Sequence, residues 1–223
     1  MAQESLTEQF EALQAERARS WAPEQLAKNA DRRARLVADF DPAKAVQVGD
    51  LVDPFDLEDA DGNPLTLDQL LADGPAVLIF FRFAGCPACN IALPYYDRQL
   101  RPALEKARIR LVGVSPHLPE KGLGAIGDRH ALGFPVASDR GNRLGRRFGI
   151  TFDRDHVPEG QPSPGWIGEL TGTNTAELPQ PTIIIIDQDR KVRFVDVSPD
   201  WLRRTEAPAI LDAVRDITNK IAA

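Results

Sequence analysis

The run AVLIFFRF, Ala76 to Phe83, has the length of one strand and is apolar almost throughout; only Ala84 and Gly85 separate it from Cys86. A strand without polar alternation is buried on both faces, so the chain must supply cover above and below it. Immediately after it comes CPAC, Cys86 to Cys89, holding both cysteines of the 223-residue chain. The segment from Cys89 to about Leu104 is helical in pattern apart from a kink expected at Pro94. The order strand, C-x-x-C, helix restricts the chain to folds in which a buried strand delivers two thiols to the start of a helix.

The flanking segments fit such a fold. VGDLVDPFDLEDADGNPLTLDQLL reads as a hairpin around DADGNP leading into a helix. RIRLVGVSP is a buried strand, EKGLGAIGDRHAL a helix, FPVASD a short strand and NRLGRRFGI a helix stopped by glycine. PTIIIIDQDRKVRFVDV gives two strands around DQDR, and APAILDAVRDITNK a closing helix. Alternating strands and helices imply parallel pairing, in an α/β architecture with a central mixed sheet and helices on both faces. Residues 46–223 form this domain. Residues 1–45 are a helical extension: SLTE is a capping-box pattern, Leu6, Phe10 and Leu13 follow at helical spacing, and Pro23 starts a second helix. The pair packs on the main domain or serves as a dimerisation arm, so a homodimer is one expected assembly. Residues 151–180, rich in Pro, Gly, Thr and Asn, make a connection long enough to be a lid or an insertion.

A hydrophobic content of 43% is enough to bury one substantial core. The net charge of −6 and the scattering of the arginines leave no clustered cation patch for a phosphate backbone, so no nucleic-acid partner is expected. No apolar run reaches membrane-spanning length. The opening MAQESLTEQFEALQ lacks the features of a secretory signal, and the expected location is the cytoplasm, with no membrane partner. That compartment keeps thiols reduced, which favours catalytic or transient disulfides over structural ones.

A thiol at a helix N-terminus faces unpaired N–H groups and the positive end of the dipole, which favours its thiolate. Cys86 stands there; Cys89, about one turn further in, is close enough to attack a mixed disulfide at Cys86. Arg82, four residues before Cys86, either adds positive potential and hydrogen bonds for a peroxide oxygen or reaches solvent. A zinc half-site would need two more ligands, and His117, His130 and His156 lack the close spacing for it. Two inert buried cysteines are the other alternative. No metal and no cofactor are expected. In LPQPTIIIID, Pro181 and Thr182 open a strand; the bond before Pro181 is expected to be cis, holding backbone beside the sulfurs where a substrate chain can hydrogen-bond, whereas a trans bond would merely end a loop.

These stretches together resemble the peroxiredoxin-like branch of the alkyl hydroperoxide reductase and thiol-specific antioxidant (AhpC/TSA) family, over about Val48 to Phe194. The resemblance implies a thioredoxin-like fold, a reactive cysteine at a helix N-terminus, and reduction of hydroperoxides with electrons from thioredoxin or another thiol. The family pattern P-x-x-x-T-x-x-C places Cys89 at the peroxide-reactive position, Cys86 where threonine is expected and Arg82 where proline is expected. Thioredoxin logic reverses the roles of the cysteines, and exposure at the helix end favours Cys86 as the nucleophile. The family also uses an arginine beyond the cysteine, for which Arg143 in SDRGNRLG is the nearest match. The expected function is therefore a thiol peroxidase acting through Cys86 and Cys89. The alternatives are a thioredoxin-like reductase of disulfide substrates and a non-catalytic redox sensor, which turnover separates.

Overall fold

The computed structural model describes residues 4–153 and 165–221. β1 (Asp56–Asp59) and β2 (Pro64–Thr66) form the hairpin, closed by the Asp59 carboxylate, which accepts from the backbone N–H groups of Asp61 and Asn63 at 2.9 and 2.8 Å. A capping box of Thr66 and Gln69 then starts α3 (Leu67–Leu71). β3 (Ala76–Phe80), β4 (Arg110–Ser115), β5 (Val136–Ser138), β8 (Thr182–Ile186) and β9 (Val192–Val197) complete a seven-stranded sheet of order β2-β1-β5-β4-β3-β8-β9. Pairing is parallel for β3–β4 and β4–β5 and antiparallel for β1–β2, β1–β5, β3–β8 and β8–β9. Strand–helix alternation thus implies parallel neighbours only in the middle; a hairpin at each edge makes the sheet mixed.

All five residues of β3 are buried, as a continuous apolar run requires. Successive side chains point to opposite faces: Val77 and Ile79 join the core beneath α4 (Pro87–Lys106), while Leu78 and Phe80 join the core containing Leu70, Phe148 and Ile150. α4 runs on through both Pro94 and Pro102, further than the sequence pattern suggests. Against it lie α5 (Ala125–His130) and α8 (Ala207–Ile221).

α1 (Leu6–Ser20) also packs on α4, burying Leu6 and Phe10 in the core that contains both cysteines. Ser5 caps it by accepting from the Glu8 N–H, as SLTE predicts, but a distant carboxylate does more. Glu206 accepts from the Leu6 and Thr7 N–H groups at 3.0 and 2.8 Å and from the Tyr95 hydroxyl at 2.7 Å. α2 (Pro23–Asp39) has no buried residue and is tied down by the Arg33–Asp200 ion pair at 3.0 Å. The first of the two expected arrangements, packing on the main body, is the one adopted by α1.

α6 (Arg143–Arg147) ends at Gly149, whose φ of 64° favours glycine. The stretch expected to be one long loop holds local structure: β6 (Thr151–Phe152) pairs antiparallel with β7 (Leu178–Pro179), and α7 spans Ile167–Thr171. The rest of that stretch, 154–164 with His156, lies outside the described residues.

Candidate active site

The chain leaves β3 through the Phe81 N–H, which donates to the Val114 carbonyl at 2.8 Å, and turns so that Cys86 becomes the N-cap of α4. The turn is braced from two sides. The Asn90 amide donates to the carbonyls of Ala84 and Cys86 at 2.8 and 2.9 Å, and its oxygen accepts from Arg129 at 2.6 Å. The Ala84 N–H donates to Nδ1 of His117 at 3.2 Å; that acceptor role assigns the proton to Nε2, which meets the Lys121 carbonyl at 3.0 Å. Burial lowers the His117 pKa and keeps the ring in this neutral form. The histidine considered above as a zinc ligand is therefore a loop support, and among the described residues no group of three or more His, Cys, Asp or Glu side chains could hold a metal ion.

Both cysteines are free thiols and buried; Cys86 is 2% exposed and Cys89 is fully enclosed. The exposure expected at the helix end is absent: both sulfurs lie in the core that also holds Leu6 and Phe10 of α1. Burial works against the Cys89 thiolate, but it is outweighed by the hydrogen bond from the Cys86 thiol, the charge and hydrogen bond of Arg204, and the Arg82 backbone N–H. The Cys89 pKa is held well below that of an ordinary thiol. Cys86 is pushed the other way, well above the ordinary range, by its contact with the Cys89 thiol, by burial and by the neighbouring negative charge.

Arg204 Nη2 lies 3.5 Å from the Cys89 sulfur. The segment between β9 and α8 positions it through Nε on the Trp201 carbonyl at 3.0 Å, the Phe10 ring 5.5 Å from the guanidinium, and the Tyr96 hydroxyl on the Thr205 carbonyl at 2.8 Å. Arg82 is buried and does not reach solvent; its guanidinium stacks over Trp201 at 4.6 Å. Arg82 Nε and Arg204 Nη1 have no hydrogen-bond partner in the protein. Arg17 of α1, also buried, adds a third guanidinium whose charge is felt at Cys86.

One further expectation is corrected. The Gln180–Pro181 bond is trans. The chain already satisfies this corner in that form: the Gln180 N–H donates to Ile150, the Pro181 carbonyl accepts from Ser198 at 2.8 Å, and the Thr182 hydroxyl donates to the Gln180 carbonyl at 2.8 Å. Pro181 and Thr182 line a small void with Arg204 and Tyr96. Arg143 is exposed, and its charge acts on the carboxylates of Glu58 and Asp139; the guanidinium hydrogen-bonded to a cysteine is that of Arg204. Arg17 and Arg204 carry no local sequence signal, since each is brought to the cysteines only by tertiary packing.

The sequence profile of the AhpC/TSA family matches residues 48–195. A protein of Mycobacterium tuberculosis with a provisional peroxiredoxin name is 28% identical over 172 residues, 77% of this chain and 98% of its own length. A thiol-disulfide oxidoreductase ResA from Halalkalibacterium halodurans is 26% identical over 111 residues, half of this chain and 61% of its own. The crystal structure of the peroxidoxin BcpB from Mycobacterium tuberculosis superposes with a TM-score of 0.59 at 26% identity, covering 77% of this chain and 98% of that one. A Xanthomonas campestris peroxiredoxin Q, at 18% identity and a TM-score of 0.58, shares the fold. With its thioredoxin-like sheet and paired thiols at the head of α4, the chain belongs to the AhpC/TSA family and is a peroxiredoxin-like thiol oxidoreductase.

Proposed function

We propose that Cys89 is the thiolate that attacks a hydroperoxide and that Cys86 resolves the product. The observation carrying this reading is the donor set on one sulfur: the Cys86 thiol, Arg204 Nη2 and the Arg82 N–H all stabilise negative charge at Cys89. In the reaction the Cys89 sulfur attacks the terminal peroxide oxygen and the O–O bond breaks. A sulfenic acid forms on Cys89, and the leaving alkoxide or hydroxide takes the proton of Cys86. The Cys86 thiolate then attacks the Cys89 sulfur, closing a disulfide and releasing hydroxide, which is protonated to water. Thioredoxin or another thiol returns the disulfide to the dithiol. Charge developing on the leaving oxygen needs aimed donors, and the unpartnered Arg82 Nε and Arg204 Nη1 are available for it. A reducing compartment such as the cytoplasm fits this cycle, since it keeps such a pair available as a dithiol.

Following thiol loss on mixing reduced protein with hydrogen peroxide tests the assignment. Cys89→Ser loses fast oxidation, while Cys86→Ser retains it and stops at the sulfenic acid. The opposite pattern would make Cys86 the nucleophile. A second reading, reduction of protein disulfides, is favoured by the C-x-x-C spacing and by the partial match to ResA. It stands instead if peroxide oxidises neither thiol faster than a free thiol and the protein turns over insulin-type disulfides.

A further inference from the structure

Three guanidinium groups reach the thiol pair from different parts of the chain: Arg17 from α1, Arg82 from just beyond β3, and Arg204 from the segment between β9 and α8. They are 8, 7 and 9% exposed. Cations so deeply buried are ordinarily paired with carboxylates. Here the partners are neutral groups or the cysteines. Arg17 donates to the Gln14 amide oxygen at 3.1 Å, and Arg204 to the Trp201 carbonyl at 3.0 Å and the Cys89 sulfur at 3.5 Å. Arg82 lies over the Trp201 ring at 4.6 Å, and its Nε, like Nη1 of Arg204, has no hydrogen-bond partner in the protein. The charges of all three are felt at Cys86, and those of Arg17 and Arg82 oppose each other. A Cys89 thiolate is then the counter-charge of the cluster, one negative charge among three positive ones. Closing the Cys86–Cys89 disulfide removes it and leaves three buried cations facing one another.

We propose that Arg17, Arg82 and Arg204 form the site of a small monovalent inorganic anion of halide size, bound when the pair is a disulfide and displaced when the Cys89 thiolate returns. The proposal rests on the disulfide cycle above and adds a ligand to its oxidised state. During peroxide attack the free N–H groups serve the leaving oxygen; once the disulfide has closed, that duty is over. The route inward is a cleft of about 770 Å³ between the N-terminal helices and the β9–α8 segment. Arg33, Arg203 and Arg204 line it against Glu11, Asp196 and Asp200, so its rim carries both signs. Of these six only Arg204 is buried, which puts the excess of cations at the inner end. The rim carboxylates repel an anion in proportion to its charge, which favours a single charge over two. Arg17 and Arg204 lie outside residues 48–195, so the site is not contained in the segment that carries the family match.

The test is the equilibrium of the protein with reduced and oxidised dithiothreitol, with gluconate replaced stepwise by chloride at constant ionic strength. Oxidation of the pair gives up two electrons and the Cys86 proton, which with one solvent proton reduce the dithiothreitol disulfide. At a fixed dithiothreitol ratio, the ratio of disulfide to dithiol protein rises about tenfold between no chloride and roughly 0.1 M, as a Kd of about 10 mM for the disulfide form gives. Arg17→Met abolishes the rise, and Arg17→Lys, which restores the charge, retains it. A ratio that ignores chloride, or follows it equally in Arg17→Met, overturns the proposal. If no Cys86–Cys89 disulfide forms, the disulfide cycle has failed, and Cys89→Ser decides the anion site separately because it removes the thiolate without oxidation. The chloride NMR line then broadens saturably with Cys89→Ser and less with Cys89→Ser carrying Arg17→Met; equal broadening by the two, or none, overturns the site.

Discussion

Replacing Arg204 by methionine keeps an unbranched side chain against Phe10 while removing the charge that faces Cys89 at 3.5 Å. Both groups are enclosed, so solvent screens the interaction little. A charge-assisted hydrogen bond of this kind contributes roughly 1.5–3 kcal/mol, and at about 1.4 kcal/mol per pKa unit its loss raises the Cys89 midpoint by about one to two units. Near neutral pH the thiolate fraction then falls by roughly ten- to a hundredfold wherever the pH lies below both midpoints. The surviving thiolate is more basic and more nucleophilic, which recovers about half of that on a logarithmic scale, leaving a loss in attack rate of about three- to tenfold from charge alone. Loss of Nη1 as a donor to the leaving oxygen lowers the rate further.

The cleaner assay is therefore the titration, followed by the ultraviolet absorbance of the thiolate in a Cys86→Ser background, where only Cys89 absorbs and the serine hydroxyl still donates to it. Arg204→Lys, which restores a charge without the planar fork, recovers part of the displacement. An unchanged midpoint in Arg204→Met would refute the argument that this cation sets the reactivity of Cys89. It would leave the helix N-terminus and the Arg82 N–H as the controlling groups.

Two further outcomes follow from groups outside the thiol pair. Burial of Glu206 raises its pKa, but the Leu6 and Thr7 N–H groups and the Tyr95 hydroxyl override it and hold the carboxyl at about 2 against 4.5. This contribution is fully present above about pH 4.5 and is lost as pH falls toward 2. The linkage limit of ~3 kcal/mol shrinks to about 1–2 kcal/mol for a partly exposed carboxyl; urea denaturation of Glu206→Gln shows that deficit at neutral pH and a smaller one in acid, and parallel curves at all pH would contradict it. Gly149→Ala destabilises by more than about 2 kcal/mol in thermal unfolding, because φ is +64° and the added Cβ would stand 2.1 Å from the Lys44 carbonyl oxygen; a neutral result would mean that the Lys44 segment yields freely.

What the sequence discloses here is what neighbouring residues decide among themselves. The continuous run at Ala76–Phe80, the capping box at Thr66 and Gln69, and the position of Cys86 at the head of α4 are local matters of period and caps, and each is legible before folding. The paired strands inside 151–180 are two residues each, too short for any period to register. The trans bond at Pro181 is settled by partners from Ile150 and Ser198, remote in sequence. Arg204 is 115 residues from Cys89 and looks, in WLRRTEAPA, like any arginine before a helix. The sequence places Cys86 at the helix end; it could not show that both sulfurs are buried there, in one core with Leu6 and Phe10 of α1.

The choice between the two thiols turns on that last point. A helix N-terminus favours whichever sulfur ionises first, and in an exposed C-x-x-C site the outer cysteine has the advantage. Burying both sulfurs removes solvent as an alternative stabiliser, so each thiolate depends on protein donors in place. Cys89 has Arg204 and the Arg82 N–H; Cys86 is left to donate, and a thiol that donates to a thiolate is itself harder to ionise. On the reading proposed above, the first negative charge settles one turn inside the helix. Two of the three guanidinium groups near the pair, Arg17 and Arg204, come from outside residues 48–195. The family fold brings the cysteines together, and on that reading the segments on either side of it supply the cations that decide which of them carries the charge.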